Sequence, residues 1–345
     1  MKIIIVGGVA GGATAAARLR RISEDYQIIV MEKDEYISYA NCGLPYYIGG
    51  VISDRRKLQV QTVKSMAHRF NLDIRVKHEV ISIDKRNKKV TVKSLIDGAT
   101  YEESYDKLIL SCGAKPIIPD LPGYNPGFVF TLRNIPDTYR IKDYIDNNGV
   151  NKAVVIGGGF IGVEMAENLR ELGIMVTLVE KMNQVLRPLD FEMAQIIHGE
   201  LESNGINLIL GDGISAFEGK NVKLESGKVI ESDMTILAIG VTPENSLARQ
   251  ANLASGERGH LKVTEDFRVY SGENPEKDIY AVGDMIEVIN PLDDTPYFVP
   301  LAWGANRQGR LVADSVSGMK IKKSRILGAN VIKVFGLTAA SVGAN

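Results

Sequence analysis

Cysteine is nearly absent from this 345-residue sequence, with Cys42 and Cys112 the only two. A disulfide-stapled scaffold and a zinc-finger layout are thereby excluded, since both need several cysteines at set spacings. An excess of either charge is also absent, with 41 basic against 42 acidic residues. A generally basic nucleic-acid binder is therefore not expected. No stretch reaches the roughly 18 apolar residues of a membrane span. Ile3 to Val6 is too short for a signal-peptide core and runs straight into glycines. A cytoplasmic protein with no membrane partner and no metal is expected. Disorder is excluded by an apolar content of 45%, enough to bury a core.

Glycine, by contrast, is abundant and clustered. Ile3 to Val6 is a short apolar run rich in β-branched residues, followed by Gly7, Gly8, Gly11 and Gly12 and then by Ala13 to Ala17. That order predicts a buried parallel strand, a tight turn and a closely packed helix. A second strand, Gln27 to Met31, ends at Glu32. The pattern returns about 150 residues later: strand Ala153 to Ile156, turn Gly157 to Gly162, helix Val163 to Leu172, strand Val176 to Val179, then Glu180. Between the two units His78 to Asp84, Lys88 to Ser94 and Lys107 to Leu110 read as strands, and Lys115 to Pro126 as a linker. Further strands are expected at Val222 to Leu224, Met234 to Ile239, Ile279 to Val282 and Asn330 to Leu337.

A diphosphate needs backbone N–H donors at a helix start and glycines that let it approach. Gly157-x-Gly159-x-x-Gly162 meets that need in full, and Glu180 is placed to accept from ribose hydroxyls. The first loop departs from the pattern, with Val9 where the middle glycine belongs. Glu32, twenty residues past Gly12, supports a second dinucleotide site there. Gly283-Asp284 reads either as an ordinary turn or as a carboxylate for a ribityl or ribose chain. Two such sites suggest one resident flavin and one diffusing nicotinamide.

Cys42 lies in the polar, turn-forming stretch Ser38 to Gly50, close to a possible helix start. A thiol there is expected to have a lowered pKa and to be partly thiolate. A buried structural cysteine is the competing reading. Cys112 closes an apolar strand and reads as a packing residue.

Taken together, Gly7 to Ala13, Ser38 to Pro45, Leu108 to Pro116, the second glycine fingerprint, Tyr280 to Asp284 and Pro300 to Gly304 resemble the FAD- and NAD(P)H-dependent disulfide reductases. Within them the chain is similar to the coenzyme A-disulfide reductase branch, including relatives fused to a rhodanese domain. That branch carries valine at the Val9 position.

The resemblance implies an α/β fold of two Rossmann-like domains, the NAD(P)H domain inserted in the FAD domain, followed by the start of an α+β dimerisation domain. It implies FAD-binding segments at 1–114 and 243–322, an NAD(P)H domain at 115–242, and a dimerisation segment at 323–345. Relatives extend beyond this length, so weakened dimerisation is expected of these residues alone, against a homodimer in the full-length family.

The implied FAD residues are Gly7, Gly8, Val9, Ala10, Gly11, Gly12, Glu32, Lys33, Val80, Gly113, Gly283, Asp284 and Ala302. Those for NADH or NADPH are Gly157, Gly159, Phe160, Ile161, Gly162, Glu164, Glu180 and Gly240. The catalytic residue is Cys42, resting as a mixed disulfide with coenzyme A. Thr14, Arg18, Arg21, Ser38, Asn41, Arg69 and Asn306 are the implied coenzyme A contacts. A relative carries histidine in place of Asn306 and lysine in place of Phe70.

The implied reaction reduces coenzyme A disulfide to two thiols. A coenzyme A persulfide or polysulfide substrate fits the same cysteine segment. An NADH oxidase or peroxidase would use a Cys42 sulfenic acid, but the first loop lacks the histidine of those enzymes. A flavin-binding sensor without turnover is disfavoured by the intact second fingerprint. Glu180 favours NADH over NADPH, and Lys181 beside it offsets that preference in part.

Overall fold

The computed structural model describes residues 1–321 and 326–343. The expected start of a dimerisation segment at residue 323 lies outside the described residues. Two compact units are formed, each from separate stretches of chain. The first comprises Met1–Tyr39, Gln59–Lys115 and Thr242–Leu327; the second comprises Ala40–Leu58, Pro116–Val241 and Gly328–Asn345. Cys42 thus groups with the second unit.

In the first unit a six-stranded sheet runs in the order Arg268–Ser271, Asn274–Ala281, Lys107–Leu110, Lys2–Val6, Gln27–Glu32, Asp73–Val76. All neighbours are parallel except the first pair. Ile3, Ile4, Ile5, Leu108 and Ile109 are fully buried, which explains their unbroken apolar runs: parallel strands are covered on both faces. The helix Ala10–Ile22 crosses the helix Ala302–Val316 at glycines. A Cβ on Gly309 would lie 2.4 Å from the Gly11 carbonyl oxygen, so this crossing has no room for a side chain. A three-stranded antiparallel sheet, His78–Asp84, Lys89–Ser94 and Thr100–Ser104, completes the unit.

The second unit repeats the plan. Its five parallel strands are ordered Asn207–Leu210, Met175–Glu180, Lys152–Ile156, Met234–Leu237, Val129–Phe130. The helix Ile135–Asn148 starts at Asn134, whose side chain accepts from the Asp137 N–H, and stops at left-handed Gly149. The expected single strand Asn330 to Leu337 is instead a hairpin, Ala329–Val334 paired with Leu337–Val342. Phe335, at φ 48°, and Gly336 make the reversal. The run reads as one strand because a single glycine, Gly336, is its only turn signal and strand-like residues lie on both sides. Among the described residues no helix is long and apolar enough to cross a membrane.

Candidate active site

The two glycine turns are built alike. Gly7 and Gly157 have φ of 101° and 106°, which side chains rarely adopt. A Cβ at Gly12 would sit 1.8 Å from the Gly7 oxygen, and one at Gly162 would sit 1.8 Å from the Gly157 oxygen. These four glycines are therefore required by the protein itself. Gly159 differs, because a Cβ there meets no protein atom within 4 Å. The space beside Gly159 is open. Neither following helix, Ala10–Ile22 or Phe160–Glu171, has a side-chain cap on its first N–H groups. Open donors, a positive dipole end and vacant room at the turn fit the diphosphate of a dinucleotide.

The two acids also match. Glu32 accepts from the Gly8 N–H at 2.8 Å and the Asp34 N–H at 2.9 Å. Glu180 accepts from the Gly158 N–H at 2.5 Å and the Met182 N–H at 2.8 Å. Burial pushes the Glu32 carboxyl above its usual range, against the pull of its two N–H donors. Lys181 is ion-paired with Glu225 at 2.7 Å, which draws its charge away from Glu180.

Elsewhere in the first unit, Gly283 opens a short turn to Met285, and its N–H donates to the buried Gln308 side chain at 2.7 Å. Val80 is buried, whereas Lys33 and Ala302 are exposed. Gly113, at φ 70°, follows Cys112, whose thiol is desolvated and pushed up to about 12. That agrees with a packing residue.

Several expected coenzyme A contacts gather in the first unit. Thr14 donates its hydroxyl hydrogen to Asn306 at 2.8 Å. Arg18 pairs with Asp314 at 2.7 Å. Arg21 and Arg69 both lie over the Phe70 ring, at 5.4 and 5.3 Å. Phe70 thus brings two cations together. Ser38 takes a left-handed conformation, φ 44°, and donates its N–H to the Gly8 carbonyl. Neighbouring Arg20 is buried and spends its guanidinium on the carbonyls of Phe70, Tyr26 and Asn71. It anchors the fold.

Cys42 lies in the turn Asn41–Gly43, just before the helix Leu44–Ile48. The residue is exposed. Its thiol, however, is held above its ordinary pKa by desolvation first and by the Glu164 carboxylate second. The expected lowering by a helix N-terminus is therefore corrected. Five helical residues supply little dipole, and a negative group opposes it. Glu164 is itself pushed up to about 7 by burial and by Glu167. Tyr46, four residues after Cys42, is raised to about 12 by desolvation and the same carboxylates. Close packing makes this arrangement: a Cβ on Gly49 would meet the Asn168 side-chain oxygen at 2.2 Å. A cleft of about 610 Å³ beside it is lined by Tyr46, Gly49, Glu167, Asn168, Lys333 and Phe335. Among the described residues no cluster suited to a metal ion occurs.

Sequence reasoning missed Gln308, Glu167 and three residues that brace the turns, Ile37 in one unit and Val185 and Leu186 in the other, and it expected Ser38 only as a coenzyme A contact, not as a brace. One signal was available. Ser38 follows Glu32 by six positions, and Leu186 follows Glu180 by the same six.

Paired Rossmann-type units of this kind define the class of FAD- and NAD-dependent oxidoreductases. Residues 1–308 match the pyridine nucleotide-disulphide oxidoreductase family, and the chain belongs to it. A coenzyme A disulfide reductase of Staphylococcus aureus (strain JH9) is 39% identical over 343 residues, covering 99% of this chain and 76% of that protein. The crystal structure of reduced Bacillus anthracis CoADR-RHD superposes with a TM-score of 0.97 at 55% identity, over 100% of this chain and 62% of that one. A NAD-dependent persulfide reductase from A. fulgidus gives 0.95 at 32% identity, over 100% of this chain and 64% of that one. The chain therefore spans less than two thirds of either solved relative.

Proposed function

We propose that this protein is an FAD-dependent NAD(P)H:coenzyme A-disulfide oxidoreductase working through Cys42. The observation that carries the proposal is a single exposed cysteine in a chain with two glycine turns whose following helices lack a side-chain cap. Segments 1–114 and 243–322 would hold FAD, through Gly7 to Gly12, Glu32 and the Gly283-Asp284 turn. Segment 115–242 would hold the nicotinamide cofactor, through Gly157 to Gly162 and Glu180. FAD, when bound, supplies a two-electron relay between nicotinamide and sulfur.

The remaining steps belong to the chain's own residues. The Cys42 thiolate attacks one sulfur of a coenzyme A disulfide, forms a mixed disulfide and expels one coenzyme A thiolate. Two electrons then cleave that bond, restore the Cys42 thiolate and release the second thiolate. The sum is one disulfide, one NADH and one proton giving two thiols and NAD⁺. Arg21 and Arg69 over Phe70, with Arg18, Thr14, Ser38, Asn41 and Asn306, supply the cationic and polar contacts for coenzyme A phosphates and amides. Glu180 favours NADH, since a carboxylate accepts from a free 2′-hydroxyl and repels a 2′-phosphate. The Lys181–Glu225 pair supports that preference by engaging the one cation beside it. A homodimer and a cytoplasmic location belong to the same reading.

A persulfide substrate is the second reading, favoured by the likeness to the A. fulgidus enzyme. Intact mass before and after reduction, on protein purified without thiol, tests the first. A reducible adduct of coenzyme A mass on Cys42 is expected, with NADH consumed on adding coenzyme A disulfide. Turnover confined to persulfides would transfer the proposal to that substrate. A Cys42 carrying only oxygen, with NADH consumed by oxygen or peroxide, would replace it by an oxidase or peroxidase.

A further inference from the structure

The loop from Lys181 to Asp190 lies outside the glycine fingerprint, yet it is fastened to the turn it follows. The Leu186 N–H donates to the Gly158 carbonyl at 2.8 Å. A methyl of Val185 fills the space beside Gly158, where a Cβ would come within 2.8 Å of it. Gly158 in turn donates its own N–H to Glu180. One more bond holds this assembly from behind: the Val185 N–H donates to His198 Nε2 at 3.1 Å. His198 stands on the helix Phe191–Ser203 and is 6% exposed, and Val185 is fully buried.

We propose that His198 is a positioning residue for the pyridine nucleotide: through Val185 and Leu186 it fixes the Gly158 peptide at the centre of the dinucleotide turn. The proposal rests on the reading of the second unit as the nicotinamide site. Since Nε2 accepts, the bond assigns the ring hydrogen to Nδ1 and requires a neutral imidazole. Burial favours that state by pulling the His198 pKa down, while Glu202, one turn along the same helix, pulls the other way. The Val185 N–H is buried, with His198 as its acceptor. Without His198, that donor is left unpaired or the loop shifts to solvate it. A shift of the loop releases Leu186 from Gly158 and turns the Gly158 peptide away from Glu180.

The test is equilibrium titration of the FAD-loaded protein with NADH, for wild type, His198→Ala, His198→Asn and His198→Gln. Gln is the informative variant, because its amide oxygen falls where Nε2 does, while Asn is too short. NADH binding is expected to weaken about tenfold in the Ala and Asn variants, the equivalent of one lost buried hydrogen bond. Gln should recover it to within about twofold. FAD content and the KM for the disulfide substrate should stay unchanged in all three. His198→Asn serves in place of His198→Ala if the latter fails to fold. Unchanged NADH binding in the Ala and Asn variants would overturn the proposal, as would equal weakening in Gln, Asn and Ala. Wild-type protein that binds no NADH would instead overturn the nucleotide reading, and this proposal with it.

Discussion

Ser38 and Leu186 hold equivalent places in the two units. Each is left-handed, at φ 44° and 48°, and each donates its N–H to the second residue of its glycine turn, Gly8 at 3.0 Å and Gly158 at 2.8 Å. Each also follows a residue, Ile37 or Val185, that packs onto that same glycine. The duplication therefore extends past the fingerprint to the brace behind it. A non-glycine residue in this conformation is strained by about 1–2 kcal/mol. Its presence twice marks the brace as a functional part of the turn.

The glycines of the second turn separate fold from ligand. Gly159→Ala should leave the melting temperature unchanged or raise stability by about 0.4–1 kcal/mol, since its backbone suits alanine and no atom obstructs the methyl. NADH binding should fall at least tenfold, because the methyl occupies the space left for the diphosphate. Gly162→Ala, with its Cβ 1.8 Å from the Gly157 oxygen, should lose stability and NADH together. Thermal melts and NADH titrations of both variants check this, and parallel losses in the two would refute it.

Glu164 gives a pH prediction. Its folded pKa, about 7, lies above the ordinary carboxyl value of 4.5. The group therefore favours folding below pH 4.5, and that contribution disappears as pH rises through 7. Above pH 7 its buried charge costs about 3 kcal/mol. Glu164→Gln should raise the melting temperature above pH 7 and change it little near pH 5. A gain of the same size at both pH values would contradict the assignment.

The same substitution acts on Cys42. Removing the Glu164 charge should lower the thiol pKa. Alkylation of Cys42 at pH 7 should then run a few-fold faster in Glu164→Gln than in wild type, measured as rate against pH. An unchanged rate would show that desolvation alone sets the thiol.

Cys42→Ser should keep FAD and NADH binding and lose both the coenzyme A adduct and disulfide reduction. Arg21→Ala and Arg69→Ala should each raise KM for coenzyme A disulfide several-fold, with the gap narrowing at high salt, as expected of phosphate contacts. Mass, absorbance and initial rates at two ionic strengths measure these. A change in kcat with KM unmoved would place the arginines elsewhere.

Much of this was legible in the residues. Ile3 to Val6, Gly7 to Gly12 and Glu32 declare a strand, turn and acid because each position faces one steric or chemical demand, and the same holds for Ala153 to Glu180. The state of Cys42 was not legible. It depends first on desolvation and then on Glu164, over a hundred residues away, which no local pattern connects to it. The hairpin at Phe335 was hidden because Gly336 is the one turn signal inside an otherwise strand-like run. His198 was hidden for a third reason: a lone histidine on a helix reveals a backbone partner only once the fold brings Val185 to it.

Glu32 and Glu180 are already engaged by their own loops, each accepting two backbone N–H bonds. Their rotamers are frozen by folding, so a ribose arriving at either site meets a carboxylate that has no freedom left to lose. Recognition of the sugar then resembles a key meeting a cut lock. On the proposed reading, the adenosine half of each cofactor should seat without waiting for either carboxylate to reorient.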